Sequence, residues 1–166
     1  MIKIAHKYLN KLGISSDDTC IFNTTEIDSI GRQERFNQQR IEHSFDERET
    51  WGLDFTFATW LYEHLRVYMD CADGFVNLNF HKIDIPIFKE IPKNELKYSS
   101  GSIIADEYYT TIIENHTQRE AILLMIEYLE AYLKPEFKDT EEKIIAYGKV
   151  TCAIKIFAEI FGTMWW

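Results

Sequence analysis

Residues 44–70, SFDERETWGLDFTFATWLYEHLRVYMD, constrain the fold of this chain more than any other stretch. Their apolar side chains cover most of a helical circumference, which is typical of a helix packed on several sides. Ser44 or Asp46 can cap its first turn, and the acidic residues that follow are favoured at a helix N-terminus. The remaining polar positions recur at spacings of four and three and form one narrow stripe: Gly52, Thr56, Thr59, Glu63, Arg66 and Asp70.

Asp54 lies off this polar stripe, in register with Ala58, Leu61 and Leu65. A carboxylate in an apolar environment needs a partner or access to water. Two interpretations follow. Asp54 is either an N-terminal-turn residue paired with a nearby arginine such as Arg48, or an acid that faces a bound ligand.

The composition indicates a globular, acidic protein. Among 166 residues, 46% are hydrophobic and the formal net charge is −9, so a general nucleic-acid backbone binder is not expected. This charge permits an acidic surface that docks on a basic partner. Cys20, Cys71 and Cys152 are widely spaced and form no CxxC pair, which favours reduced thiols in a cytoplasmic protein. No apolar run approaches membrane-spanning length.

The rest of the chain predicts a mainly α, single-domain protein over residues 1–166. We expect a bundle of four to five helices with a small extended or β-hairpin insertion at about 75–113. Alternation predicts extended chain over 75–87, with a partner strand at 108–113. Thr117 and Glu120 form a capping box. Besides the central helix, the predicted helices span residues 2–12 (ended by Gly13), 26–43, 117–133 and 141–161 (ended by Gly162).

The basic residues near the central helix are all arginines. No lysine occurs between residues 12 and 81, and four of the six arginines lie within residues 32–48. The planar arginine fork suits carboxylate pairing and phosphate recognition. Three hypotheses remain: a web of ion pairs with neighbouring acids, an anion or nucleotide pocket with Trp51 or Phe36 as a stacking platform, or a protein interface.

The motifs of common enzyme classes do not occur in the sequence. The five histidines form no HxH, HExxH or HxxxH pair, and there is no GxSxG, P-loop or GxGxxG motif. The sequence therefore favours a non-enzymatic protein and indicates no cofactor and no metal, although a site can assemble from distant residues.

Several segments resemble an uncharacterised family of small proteins encoded by bacteriophages and prophages. The similar segments are FDERETW at 45–51, Leu53-Asp54, TWLYEHLRVY at 59–68, His81-Lys82 and the final Met-Trp-Trp. The resemblance covers about half of the chain and implies no activity. It implies a setting, because small phage-encoded accessory proteins often block a host defence protein or sequester a nucleotide signal.

These observations support three hypotheses of function. The first is a phage-type accessory protein in the host cytoplasm that sequesters an anionic, nucleotide-like ligand. Its candidate site residues are Arg35, Arg40 and Arg48 for phosphate, Trp51 or Trp60 for stacking, and Asp54. The second is an acidic inhibitor that covers a host protein. The third is a structural homo-oligomer built by the last two helices, with Met164–Trp166 as an interface.

Overall fold

The mainly α prediction is confirmed. A computed structural model describes residues 7–14, 30–43, 46–50, 52–89, 111–113 and 117–164. Within these residues the chain forms four α-helices: α1 (Ile30–His43), α2 (Leu53–Cys71), α3 (Gln118–Tyr132) and α4 (Thr140–Ile160). Two short strands, β1 (Ile85–Ile87) and β2 (Thr111–Ile113), and several 3-10 turns complete the described elements. The predicted helical residues 2–6 and 26–29, the predicted strand residues 108–110 and the two terminal tryptophans lie outside this description.

The chain divides into two compact units, Met1–Glu63 and His64–Trp166. Helix α2 crosses the division, so its first residues belong to one unit and its last residues to the other. The single-domain organisation stays a prediction.

In the first unit, an acidic side chain of α2 holds the N-terminal segment. A 3-10 turn spans Leu9–Leu12 and ends at Gly13, whose φ of 79° is accessible to glycine at little cost. The Glu63 carboxylate accepts the backbone N–H groups of Tyr8, at 3.2 Å, and Leu9, at 3.0 Å. A carboxylate at the start of a helical turn satisfies N–H groups that have no partner within the turn. Leu9 is thereby held in the core, where it is buried.

The polar stripe of α2 is partly enclosed by protein. Thr59 is buried, and its hydroxyl donates to the backbone carbonyl of Thr56 at 2.8 Å. Glu63 is half-buried because it holds the N-terminal turn. The expectation that α2 is covered on its apolar sides is wrong for one face, because Leu53, Trp60 and Val67 are exposed.

The second unit is built on helices α3 and α4, which pack against each other. The contacts Tyr132–Tyr147 and Lys149–Glu127 show that the two helices run antiparallel. The predicted capping box is present: Glu120 N donates to the Thr117 hydroxyl, and Thr117 N donates to the Glu120 carboxylate. Asp139 caps α4 by accepting Glu142 N at 2.8 Å. The residues predicted to face inward from α3 and its C-terminal end are all buried: Ile122, Met125, Ile126, Leu129 and Leu133.

Gln118 is a buried polar residue that joins three parts of the second unit. Its side-chain oxygen accepts Val76 N at 3.2 Å, and its side-chain nitrogen donates to the Thr163 carbonyl at 2.8 Å. Its own backbone N–H donates to the Val76 carbonyl. Since buried polar groups are costly without partners, these bonds allow the amide to lie in the core.

In the insertion, the predicted strand pairing is present, but part of the predicted extended chain forms a turn instead. β1 pairs with β2 in antiparallel register, with Ile85 opposite Ile113. However, Leu78–His81, predicted as extended chain, forms a 3-10 turn. The Asn77 side chain caps this turn by accepting Asn79 N, and Lys82 ends it with a positive φ of 53°. Local side-chain bonds of this kind compete with strand formation.

The end of α4 also differs from the prediction. Gly162 does not adopt the left-handed conformation of a glycine C-cap, because the helix continues into a 3-10 turn over Phe161–Thr163. A 3-10 turn at a helix end can satisfy carbonyls that the α-helix leaves open.

Candidate functional site

Two of the candidate arginines lie on α1 and meet the turn that precedes α2. Arg35 forms an ion pair with Glu47. Arg40 Nε donates to Asp46 Oδ2 at 2.6 Å. Between them, Gln39 donates to the Glu47 carboxylate and accepts Glu47 N at 3.0 Å. The structure therefore brings Arg35 and Arg40 together, each against a carboxylate.

These two ion pairs differ in burial, and so in how much each contributes to stability. Asp46 is buried, whereas the Arg35 side chain is more than half exposed. A buried carboxylate that loses its cation is strongly destabilising, while an exposed pair contributes little. The Arg40–Asp46 pair thus acts as a structural link between α1 and the Glu47–Thr50 3-10 turn that follows Asp46. Among the three hypotheses for the arginine cluster, this geometry favours the ion-pair web.

The other candidate residues are placed differently. Trp51 and the side chain of Arg48 lie outside the described part of the chain. Asp54 is exposed, since it lies in the first turn of α2, ahead of the buried positions with which it is in register. Trp60 stacks on Phe57 of the same helix, with ring centroids 6.0 Å apart. As a residue, Trp60 is more than one-third exposed.

The exposed apolar residues of α2 form one face of the helix. Leu53 is 63% exposed, Trp60 37% and Val67 47%, and they are spaced seven residues apart. Phe57, His64 and Cys71 continue the same line, so that the six residues from Leu53 to Cys71 recur at spacings of four, three, four, three and four. Phe57 is half-buried, and His64 and Cys71 are exposed. We call these six residues the α2 stripe. Such spacing places side chains along a single line of a helix.

An exposed aspartate lies near each end of the α2 stripe. Asp54 is exposed near the first residue of the stripe, and Asp70 is exposed next to the last. The last turn of α2 contains no basic residue. A helix C-terminus carries a partial negative charge of its own, which an acidic residue such as Asp70 does not balance.

The second unit contains a buried thiol and a buried phenol with structural contacts. Cys152 Sγ donates to the Pro86 carbonyl at 3.5 Å, and burial raises the pKa of this thiol to about 12. The Tyr128 hydroxyl accepts Phe88 N at 3.1 Å, and burial likewise raises the pKa of Tyr128. A thiol held protonated is a poor nucleophile. Both groups therefore hold the segment around β1 and are not activated for chemistry.

Comparison with protein-family models, with curated proteins and with solved structures gave no match to this chain. Within the described ranges, no three or more His, Cys, Asp or Glu side chains are grouped in a way that could hold a metal ion. In the same residues, no helix is both long enough and apolar enough to cross a membrane.

Sequence reasoning missed the α2 stripe, although its signal is present. The stripe has the same spacing as the polar stripe and lies one residue further along the chain. On a helix that is apolar on most sides, periodicity does not distinguish a covered apolar face from an open one. The difference depends on which other segments pack against the helix.

Proposed function

We propose that this chain is a non-enzymatic binding protein that acts by docking on another protein through the α2 stripe. The observation that carries this proposal is the exposure of Leu53, Trp60 and Val67 along one face of a single helix. Scattered exposed apolar residues are ordinary, but several exposed apolar residues in line on one helix face, with a tryptophan among them, are typical of an interaction surface. Tryptophan is also enriched among the residues that dominate binding energy at interfaces.

The ion pairs on α1 count against the nucleotide-like ligand as the main function. A phosphate bound by Arg35 or Arg40 would compete with Glu47 or with the buried Asp46 for the same guanidinium groups. Binding through Arg40 would also leave a buried carboxylate with one partner fewer, which costs free energy. Sequestration of an anionic ligand by Arg35, Arg40, Arg48, Trp51, Asp54 and Trp60 stays a prediction.

The resemblance to phage-encoded proteins supplies the proposed setting. In this proposal the protein acts in the cytoplasm of a bacterial host, and the partner is a host protein whose working surface is covered. The net charge of −9 supports a partner with a basic surface, since complementary charge raises association rates and selects among partners.

The test is affinity capture from a lysate of the host bacterium, with quantitative mass spectrometry of the retained proteins. We compare the unmodified protein with the double variant Leu53→Ser/Val67→Ser. The matched control is Ile41→Ser, which removes an apolar side chain that is 79% exposed on α1. We expect one specific partner to be lost from the double variant and retained by the control, at unchanged melting temperatures.

Native mass spectrometry of the purified protein tests the competing hypothesis in parallel. A small molecule that is released on denaturation, and lost in Arg35→Ala and Arg40→Ala, would support the anionic ligand. A partner that the double variant and the unmodified protein retain equally would contradict docking through the α2 stripe.

A further inference from the structure

We infer that residues 85–88 form a strap that opens locally, and that Cys152 reacts with electrophiles only while this strap is open. The strap consists of β1 and the following Phe88, and β1 packs against α4 within the second unit. A thiol that has reacted no longer fastens the strap, so modification of Cys152 holds it open. This property is independent of the proposed docking through α2.

The missing N–H group of Pro86 determines which edge of β1 faces β2. Pro86 lies between Ile85 and Ile87, and all three residues are paired with β2 in antiparallel register. In an antiparallel ladder, every second residue exchanges hydrogen bonds with the neighbouring strand through its N–H and carbonyl groups. Proline has no N–H to contribute, so the bonded residues are Ile85 and Ile87. The Pro86 carbonyl and the Phe88 N–H group therefore point to the outer edge, away from β2.

Side chains of α3 and α4 occupy this outer edge, where a third strand would otherwise bind. The Cys152 thiol of α4 donates to the Pro86 carbonyl at 3.5 Å. The Tyr128 hydroxyl of α3 accepts the Phe88 N–H at 3.1 Å. An uncovered strand edge invites pairing with other chains, and covering it prevents this. The strap is thus fastened by one thiol and one phenol, each from a different helix.

The strap has few buried contacts compared with the helices that it lies on. Strands β1 and β2 are each three residues long. Within residues 85–88, only Ile85 is buried, and the other three are half-buried. Segments with few buried contacts open at a lower free energy than the whole unit unfolds. We therefore expect the strap to open while α3 and α4 stay folded.

Cys152 is covered and unreactive while the strap is closed. Its exposed fraction is 0%, and burial raises the pKa of its thiol to about 12. N-ethylmaleimide reacts with an exposed thiolate. The sulfur bonds to one alkene carbon, a proton adds to the neighbouring carbon, and no group leaves. The product has no S–H to donate to the Pro86 carbonyl, and a close-packed interior has no room for the added group.

Alkylation of the full chain by N-ethylmaleimide, with mass spectrometry of each cysteine peptide, tests the inference. Exposed Cys71 is the internal reference. We expect Cys152 to react about a hundredfold more slowly or less, since only the open fraction reacts. Its rate should hardly change at low urea concentrations, because a local opening exposes little surface. A rate equal to that of Cys71, or one that rises with urea as steeply as global unfolding, would overturn the inference.

Tyr128→Phe tests whether the strap is the element that opens. This variant loses the bond to the Phe88 N–H group and should raise the alkylation rate of Cys152 by about fivefold, the effect of losing one hydrogen bond. The matched control is Tyr147→Phe, which removes the hydroxyl of a half-buried tyrosine on α4 whose ring contacts Tyr132. It should leave the rate unchanged. If the two variants react at the same rate, Tyr128 does not fasten the strap and the inference is wrong.

Hydrogen–deuterium exchange of the alkylated protein tests whether modification holds the strap open. The control is protein treated briefly, so that Cys71 but not Cys152 has reacted. After Cys152 has reacted, we expect faster exchange at the N–H groups of the strap, with the protection of α3 retained. Unchanged exchange at the strap would show that it closes over the modified thiol. Loss of protection throughout α3 would show that modification unfolds the unit, and either result would overturn the local opening.

Discussion

Asp46 shows how one side chain changes the interpretation of its neighbours. In the sequence it is one of several acids beside an arginine cluster, and a helix cap is a reasonable role for it. In the structure it is buried and receives Arg40 Nε at 2.6 Å. A guanidinium held by a buried carboxylate is part of the framework, because neither charge can be removed alone without a large cost.

Arg35 and Arg40 of α1 should therefore respond differently to truncation. Arg40→Ala should lower the free energy of unfolding by about 3 kcal/mol, because Asp46 is left buried without this cation. Arg35→Ala removes an exposed partner of Glu47 and should cost less than about 1 kcal/mol. Urea denaturation followed by circular dichroism measures both. Equal and small effects would mean that Arg40 is not structural and would restore it as a ligand-binding candidate.

At the scale of elements, the helix ends of the second unit are determined by local chemistry. Thr117 and Glu120 form the box that the sequence predicts, and Asp139 caps α4. Glu142 forms two further hydrogen bonds near the start of α4, since its carboxylate accepts Lys138 N at 2.6 Å and Lys134 Nζ at 3.2 Å. The Lys138 N–H bond, followed by the Lys134 bond, lowers the pKa of Glu142 below its usual 4.5.

This lowered pKa predicts a dependence of stability on pH. The bonds from Lys138 and Lys134 stabilise ionised Glu142 in the folded state and are absent in the unfolded chain. Their contribution to the free energy of unfolding is therefore fully present above about pH 4.5. It is lost as the pH falls through the lower pKa of the folded state. The melting temperature of Glu142→Gln should therefore lie below that of the unmodified protein at pH 6 and approach it at pH 3. Glu136→Gln removes an exposed carboxylate of the same connection, serves as the control and should give a smaller difference at pH 6.

If the difference in melting temperature between Glu142→Gln and the unmodified protein stays the same from pH 6 to pH 3, this account is wrong. The effect of Glu142 would then arise from its packing or its side-chain length, neither of which titrates.

At the scale of the whole molecule, two apolar features bear on assembly. The α2 stripe is the surface that we assign to a partner protein. A separate feature is the end of α4, where Ile154 and Phe161 are both exposed, shortly before the terminal tryptophans. Homo-oligomer formation through Met164–Trp166 stays a prediction, and it is independent of the stripe.

Deleting Met164–Trp166 tests this prediction directly. If the tail is an interface, the mass measured by light scattering should fall to that of a smaller assembly, since removal of apolar anchors weakens association. Leu53→Ser/Val67→Ser should leave the mass unchanged in the same measurement. An unchanged mass and melting temperature after the deletion would remove the tail as an interface.

Much of the helical layout followed from the sequence, because its signals are short-range. The bounds of α3 and α4, the capping box and the inward face of α3 depend on residues three or four positions apart. Extended chain around β1 was expected from alternation, and a partner strand at 108–113 was expected to pair with it. The turn over Leu78–His81 was not expected, because its residues alternate as those of a strand do. The hydrogen bond of the Asn77 side chain to Asn79 N favours the turn instead.

The candidate site depended on tertiary structure. An arginine cluster beside acids is compatible with pairing, with a pocket or with an interface, and only burial of Asp46 favours the first. Likewise, α2 is apolar on most of its circumference, so its sequence determined that it is a helix and left open which face remains uncovered. Periodicity records the local preference of the chain, whereas exposure depends on segments distant in sequence that pack against it. The exposure of the α2 stripe is therefore decided only once the fold has formed.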